Sequence, residues 1–437
     1  MLKTNNKNWL QIDFILLFSV LFLVVLGAAI VYSASSFKAD NVVRQQLLNR
    51  ADAAEEAGDA QKAAELRDQA KTVDGSTYFI EKQGAKIIVG LLLMVIAGSV
   101  HYERWLGLSP LFLFITVVFL VLLFTNLPIV ASRDEASRWL RIYGFTFQPS
   151  DFARYALILV LARFLYEFHD ELQNWKTYLS FLAIISVVVG LVAFEKDLGT
   201  AVLITLIAFS MLFFARVKLG FLFLTGMTFF GVSLIYLQFN PYMIQRVISF
   251  LKPLFGVDEP SFQIKQSLIS FALGGPVGVG IGNSVQKYEF LPEAYKDMVF
   301  SVIGEELGLF GTLGVIAVFT LILFRGVRIA QNAPNEYGRL LAGGITACIA
   351  LYAFINAAVT LSLVPTTGIP MPFISYGGSA LVSHLIGVGL LLNISRFSSV
   401  KQPAFESAQT YYGRVKTMPF FGTSKIQGKR SFTGDGV

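Results

Sequence analysis

The sequence is poor in the residues that build compact polar sites. It has one cysteine in 437 residues, Cys348, set in an apolar run, so an intrachain disulfide is impossible and no cysteine-rich metal motif exists. Its three histidines, His101, His169 and His384, stand far apart without ligand spacing, which argues against a structural metal site. Charged residues make up only 15% of the chain, too few to cover a soluble protein of this length. No basic cluster interleaves with aromatics, so nothing points to nucleic acid, and the net charge of +6 fits contact with anionic lipid instead. Apolar residues are what the chain has in plenty. They make up 54% of it, 40 are phenylalanines, and the mean hydropathy is +0.62, which together read as an all-α polytopic membrane protein.

A span needs about 20 apolar residues, fewer where a helix is shielded by protein. Ten segments qualify: 12–34, 84–100, 108–125, 151–167, 177–194, 198–215, 219–238, 299–325, 339–363 and 377–395. The first follows Lys3 and Lys7 but is longer than a secretory signal core, so it reads as an uncleaved span. An even number of spans puts both termini on one side. The tail carries Arg396, Lys401, Arg414, Lys416, Lys425, Lys429 and Arg430 against Glu406 and Asp435, which assigns that side to the cytoplasm. Residues 1–397 thus form the membrane domain and 398–437 a basic, disordered tail.

Two long segments then lie outside. Residues 40–76 are rich in Ala, Gln, Glu, Lys and Arg and are broken once at Gly58, which predicts a short polar helical hairpin, a solvated insertion without chemistry of its own or, alternatively, a docking site for a partner. Residues 239–298 form a large loop between the seventh and eighth spans, with amphipathic patterns such as FQIKQSLISFAL that suit interfacial helices.

That loop ends in the most chemically varied stretch of the chain, GGPVGVGIGNSVQKYEFLPEAYKDMVFSVIGEELGLFGTLG from Gly274 to Gly314. Its glycines let the backbone approach a ligand closely, and Lys287, Glu289, Glu293, Lys296 and Asp297 follow at once. From Asp297 a helix runs into the eighth span, and its turn of about 100° per residue puts Gly304 and Gly308 above Asp297 and Glu306 on the opposite face. A carboxylate therefore tops a small-residue groove, beside a loop with chemistry available to it. The plainer alternative is a helix cap over glycines that permit close packing.

Three other segments carry polar groups at the same membrane face. Between the third and fourth spans, Arg133, Arg138 and Arg141 precede Gln148, Ser150, Asp151 and Arg154, a set able to fork phosphate oxygens, although Asp151 and Arg154 could simply pair with each other. A tight turn after the fifth span holds Glu195, Lys196 and Asp197. Before the tenth span, LVPTTGIPMPFISYGGSALVSHLIG is broken by Pro365, Gly368, Pro370, Pro372, Gly377 and Gly378. Irregular backbone at this depth must be buried or line a wet cavity, so this segment, with Ser375 and Tyr376, forms a wall of an interior cleft.

LPEAYKDMVFSVIGEELG, QPSDFARYALILVLA, KDLGTAVL and PFISYGGSALVSHLIGVGLLLNISR together resemble the SEDS family (shape, elongation, division and sporulation), which includes FtsW and RodA. They occur in the family's order, the similarity runs from about residue 12 to 397, and VIGEELG is closer to the FtsW form. The resemblance implies a ten-span peptidoglycan glycosyltransferase that polymerises lipid II at the outer face of the cytoplasmic membrane, beside a class B penicillin-binding protein transpeptidase and other division or elongation proteins. Asp297 matches the family's proposed catalytic aspartate, Glu293 the acidic residue of LPE, and Lys287 the lysine of the preceding QK pair. Asp151 and Arg154 stand where the family usually has Glu and Lys, Lys196 stands where proline is common, and the 40–76 insertion is longer than usual.

On this basis Asp297 is the expected general base of an inverting transfer. Lys287, Glu293, Lys296, Arg138, Arg141, Gln148, Asp151, Arg154, Ser375 and Tyr376 are the expected substrate contacts. Mg2+ or Mn2+ could assist at ligands the sequence does not identify. The rival readings are a lipid II flippase, which would need polar residues through the whole membrane depth, and a non-enzymatic scaffold of the division complex.

Overall fold

A stretch without glycine or proline between Gly27 and Gly58 gives the molecule its longest element. In the computed structural model, which describes residues 12–72, 75–125, 127–133, 136–142, 145–288 and 290–398, α1 runs unbroken from Phe14 to Glu56. The Asp13 carboxylate caps its start by accepting from the Leu16 amide at 3.0 Å. The chain turns at Gly58 (φ 83°) and returns as α2 (Ala60–Thr72), with Arg67 bonded to Asp52 and Glu55 and Arg44 to the Ala70 carbonyl. The hairpin's first arm is therefore a rigid continuation of the first apolar helix. The tail assigned to 398–437 lies, beyond Ser398, outside the described residues, as does Glu289.

The remaining helices are α3 (Tyr78–Ser99), α4 (Tyr102–Leu122), α5 (Pro149–Glu167), α6 (Trp175–Phe194), α7 (Leu198–Phe214) and α8 (Leu219–Gln238). They continue with α9 (Pro241–Leu254), α10 (Phe262–Gly274), α11 (Val299–Gln331), α12 (Glu336–Thr360) and α13 (Gly378–Phe397). Among the described residues seven are long and apolar enough to cross a membrane: α1, α4, α6, α8, α11, α12 and α13. The protein is thus a helical multi-pass membrane protein. α12 and α13 form its centre, with 78% and 94% of their apolar stretches buried, whereas α8, at 11%, faces outward. α3 packs on α13 through small residues: a Cβ at Gly389 would lie 2.3 Å from the Met94 carbonyl oxygen.

Two features depart from the sequence expectation. A three-stranded antiparallel sheet, β1 (Val130–Arg133), β2 (Ala136–Ile142) and β3 (Phe145–Phe147), follows α4, so the fold is not wholly α. Trp139 and Phe147 favour extended backbone, and the Phe147 ring packs edge-on against Phe119 and Phe152. The second departure is at α11, which begins at Val299 and is interrupted at Gly308 (φ 66°, ψ −162°), so the regular projection from Asp297 through Gly304 does not extend to Gly308.

The glycine loop explains the kink. Val279 and Gly280 donate to the Glu305 and Glu306 carbonyls at 2.9 and 3.0 Å, and Leu309 and Phe310 donate to Gly275 and Pro276 at 2.9 and 3.1 Å. The backbone groups freed at Gly308 are thereby satisfied from the loop. Only glycine fits: a Cβ on Gly278 would sit 2.2 Å from the Glu306 carbonyl oxygen.

Candidate active site

Asp297 lies two residues before α11, on the loop that the kink anchors. The buried Asn356 amide on α12 donates to the Asp297 carbonyl and the Ile369 carbonyl, both at 2.7 Å, tying the aspartate to the irregular segment before α13. The Asp297 side chain is half-buried. Its Oδ1 is buried without a hydrogen-bond partner, and its Oδ2 faces Gly368, where a Cβ would lie 3.8 Å away. Burial raises its pKa to about 6, with Glu293 adding to the rise while Lys296 and Arg246 oppose it. Such a carboxylate is ionised at neutral pH and basic enough to take a proton.

Glu293, at φ 53°, is gripped from two sides, by Lys38 of α1 at 3.2 Å and by Lys296 at 2.5 Å. These ammonium groups hold its carboxyl below the usual range despite partial burial. Tyr295 packs against Phe79 and Tyr376, and the Tyr376 amide donates to the Tyr295 carbonyl at 2.8 Å. Ser375 Oγ accepts from the Met371 amide at 2.8 Å, so this hydroxyl shapes the turn. Glu293 and Lys296 therefore act directly on Asp297, and Tyr376 packs against Tyr295 between them in sequence.

Lys287 does not join them. Its ammonium is buried and donates to Ser33 Oγ, Glu306 Oε1 and the Gly282 carbonyl, so it locks the glycine loop between α1 and α11. Glu305 acts beside it, accepting from Ser284 Oγ and the Val285 amide.

Gln148, Asp151 and Arg154 belong to a second, buried cluster. Gln148 donates to Asp197 Oδ2 at 3.0 Å, Ser379 to Asp151 Oδ2 at 2.6 Å, and Arg154 pairs with Asp151 at 3.1 Å, donates to Ser383 and lies over the Tyr352 ring. Asp197 caps α7 through Thr200. Arg138 donates to the Glu195 and Lys196 carbonyls at 3.1 and 2.6 Å, bracing a turn in which Lys196 has φ 62°. Proline cannot adopt that angle, so the turn differs from one built on proline. Arg141 is exposed. The two clusters share a wall, because Thr367 touches Gly199 on one side and its neighbour Gly368 touches Asp297 on the other.

Sequence reasoning passed over Lys38, Arg246 and Asn356. Asn356 left a signal, a polar residue within an apolar span. Lys38 left none, because only the fold brings α1 to the loop. Among the described residues no three of His, Cys, Asp or Glu converge as a metal site.

These features define an integral-membrane helix bundle with a raised-pKa carboxylate in the loop just before α11. The FtsW/RodA/SpoVE family model, described as "Cell cycle protein", matches residues 62–400, and the chain belongs to that family. It is 34% identical over 395 residues to the probable peptidoglycan glycosyltransferase FtsW of Geobacter sulfurreducens, covering 90% of this chain and 98% of the relative. It is 34% identical over 392 residues to stage V sporulation protein E of Bacillus subtilis, covering 88% and 97%. A chain from a solved peptidoglycan synthase complex shares the fold, with a TM-score of 0.67 and 23% identity over 89% of this chain and 99% of that one. So does the Rod shape determining protein RodA of Thermus thermophilus, with a TM-score of 0.60 and 22% identity over 90% and 99%.

Proposed function

We propose that this protein is a peptidoglycan glycosyltransferase that polymerises lipid II in division or elongation, the activity its curated relatives are named for. Asp297 carries the reading: a carboxylate with one oxygen buried and unpartnered, the other facing Gly368, and a pKa near 6. It takes the proton of the acceptor hydroxyl as that oxygen attacks the anomeric carbon and the polyprenyl diphosphate departs from the opposite face, an inverting displacement. Proton removal of this kind is worth about 10² to 10⁴-fold in rate.

The membrane domain crosses ten times in this reading, with α3, α5 and α7 joining the seven apolar helices, both termini in the cytoplasm and Asp297 outside. Their shorter or more polar spans are tolerated because protein shields them. The partner is a class B penicillin-binding protein, supported by the likeness to a chain of a peptidoglycan synthase complex. Any Mg2+ or Mn2+ would be held by Asp297 and substrate phosphate oxygens, since no larger set of ligands converges among the described residues.

The polar cluster of Asp151, Arg154, Ser383 and His384 inside the bundle is the feature that a flippase reading would use. Asp151 is paired with Arg154 and bonded by Ser379, Arg154 donates to Ser383, and His384 Nδ1 is bonded to Tyr155, although Arg154 Nε and His384 Nε2 have no hydrogen-bond partner among the described residues. The mutual pairing suits a static brace better than a path. Purified protein supplied with lipid II should yield glycan strands on a gel, and Asp297→Asn should yield none while remaining folded. Leaflet exchange without strands, or strands made by the variant at the wild-type rate, would remove the assignment.

A further inference from the structure

The N-terminus of α13 has no side-chain cap, and its first residues are Gly377 and Gly378. A capless helix start presents free amide N–H groups and the positive end of the helix dipole. A cation should avoid that place, yet Lys86 of α3 lies directly on it. A Cβ on Gly378 would meet Lys86 Cδ, Cε and Nζ at 2.3, 2.6 and 2.8 Å, so the glycine is what admits the lysine. The Lys86 ammonium stands 4.8 Å from the Tyr376 ring centroid and has no ion pair among the described residues. The carboxylate that Ser379, in the first turn of α13, bonds is Asp151, and it is already paired with Arg154.

One turn before Lys86, Gln83 is 2% exposed and leans on the same segment. Its amide nitrogen faces the Ser375 carbonyl at 3.4 Å, and its carbonyl oxygen is buried with no partner. Two complementary demands therefore meet here. Positive groups lack an anion, and a buried acceptor lacks a donor. Phe79, Tyr295 and Tyr376 form an aromatic wall alongside.

Lys86, Gln83 and the α13 N-terminus, we propose, bind the head of a lipid-linked glycosyl diphosphate. The diphosphate sits on the ammonium and the helix amides, and a sugar N–H or O–H donates to Gln83. Placement supports the assignment: Gly377 abuts Pro370, two residues along from the Gly368 that faces Asp297, so base and anion site lie on one strap of chain. The proposal rests on the glycosyltransferase reading and names the donor end of that site. In the transfer, the acceptor oxygen bonds to the anomeric carbon and its proton passes to Asp297. The bond from that carbon to the diphosphate oxygen breaks with its electron pair left on the diphosphate, and Lys86 and the helix dipole meet the added negative charge.

The test uses the full chain in nanodiscs with undecaprenyl diphosphate as probe. Lys86→Met should weaken binding at least tenfold, and Lys86→Arg should stay within about threefold of the wild type. Gln83→Glu, which hands Lys86 a carboxylate partner, should also weaken it. With a chelator present Asp297→Asn should bind the probe normally, and with or without added cation it should make no polymer. Wild-type affinity and polymerisation in a monodisperse Lys86→Met protein would overturn the proposal. So would Lys86-dependent binding of inorganic pyrophosphate as tight as that of the lipid, which would make this a site for free phosphate. Failure of the wild type to polymerise lipid II while Lys86→Met still loses the probe would instead strike the reading beneath it.

Discussion

Single side chains here divide into those held for chemistry and those held for structure, and burial with partners tells them apart. Asp297 has an unpartnered oxygen and a pKa near 6, raised above that of an ordinary aspartate. A base must be ionised, so kcat/KM should fall about tenfold per pH unit below 6 and level off above it, read from polymerisation rates between pH 4.5 and 8. Glu293 contributes to the rise, so Glu293→Gln should move that acid limb to lower pH. Lys287 is the opposite case. Its ion pair with Glu306 is buried, with side-chain exposures of 3% and 0%, and removing one partner strands the other charge. Lys287→Met should cost about 3 to 5 kcal/mol, seen as a lower unfolding temperature, and Lys287→Met with Glu306→Leu should recover part of the loss. The sequence offered Lys287 as a substrate contact because its position in the motif was visible, whereas Ser33 and Glu306, more than 200 and about 20 residues away, were not.

Elements show how local pattern and packing share the decision. Apolar runs produced helices where expected, and the polar 40–76 stretch folded back at Gly58. That its first arm would be one rod with α1 required only the lack of a breaker between Gly27 and Gly58. The kink at Gly308 was not legible, because GEELGLFG is an acceptable helix until a glycine loop supplies alternative hydrogen bonds. The sheet after α4 was missed for a related reason: short aromatic runs are ambiguous until strands pair. Among the described residues the hairpin meets the loop that carries Asp297 near its base, at Phe37 against Tyr288 and Lys38 with Glu293. Replacing residues 44–71 with a short Gly/Ser linker should therefore leave lipid II polymerisation by the purified enzyme within about twofold of the wild type, since loops of this kind tolerate replacement.

For the whole molecule, two polar fastenings between α1 and α11 give the scale. Asp13 pairs with Arg325 at one end and Ser33 bonds to Glu306 at the other, about 20 residues along each helix. At ~1.5 Å per residue the fastenings are ~30 Å apart, the thickness of a hydrocarbon core. The molecule thus has two polar faces, with Asp297 at the Glu306 end. Cys348 is buried, so single surface cysteines can report sidedness. In intact cells a membrane-impermeant maleimide should label Glu259→Cys and should label Arg328→Cys only after lysis. The reverse pattern would invert the orientation and remove Asp297 from the outer face.

By itself the sequence determined the membrane class, the helical segments and the family, because hydropathy, helix length and short motifs are local properties of the chain. Tertiary structure decided which charges are free. Lys287, Arg138 and Arg154 are consumed by partners from other helices, while Lys38, Lys86 and Asn356 reach the site from α1, α3 and α12. A charge acquires its role from what neutralises it, and in a buried bundle that partner is nearly always distant along the chain.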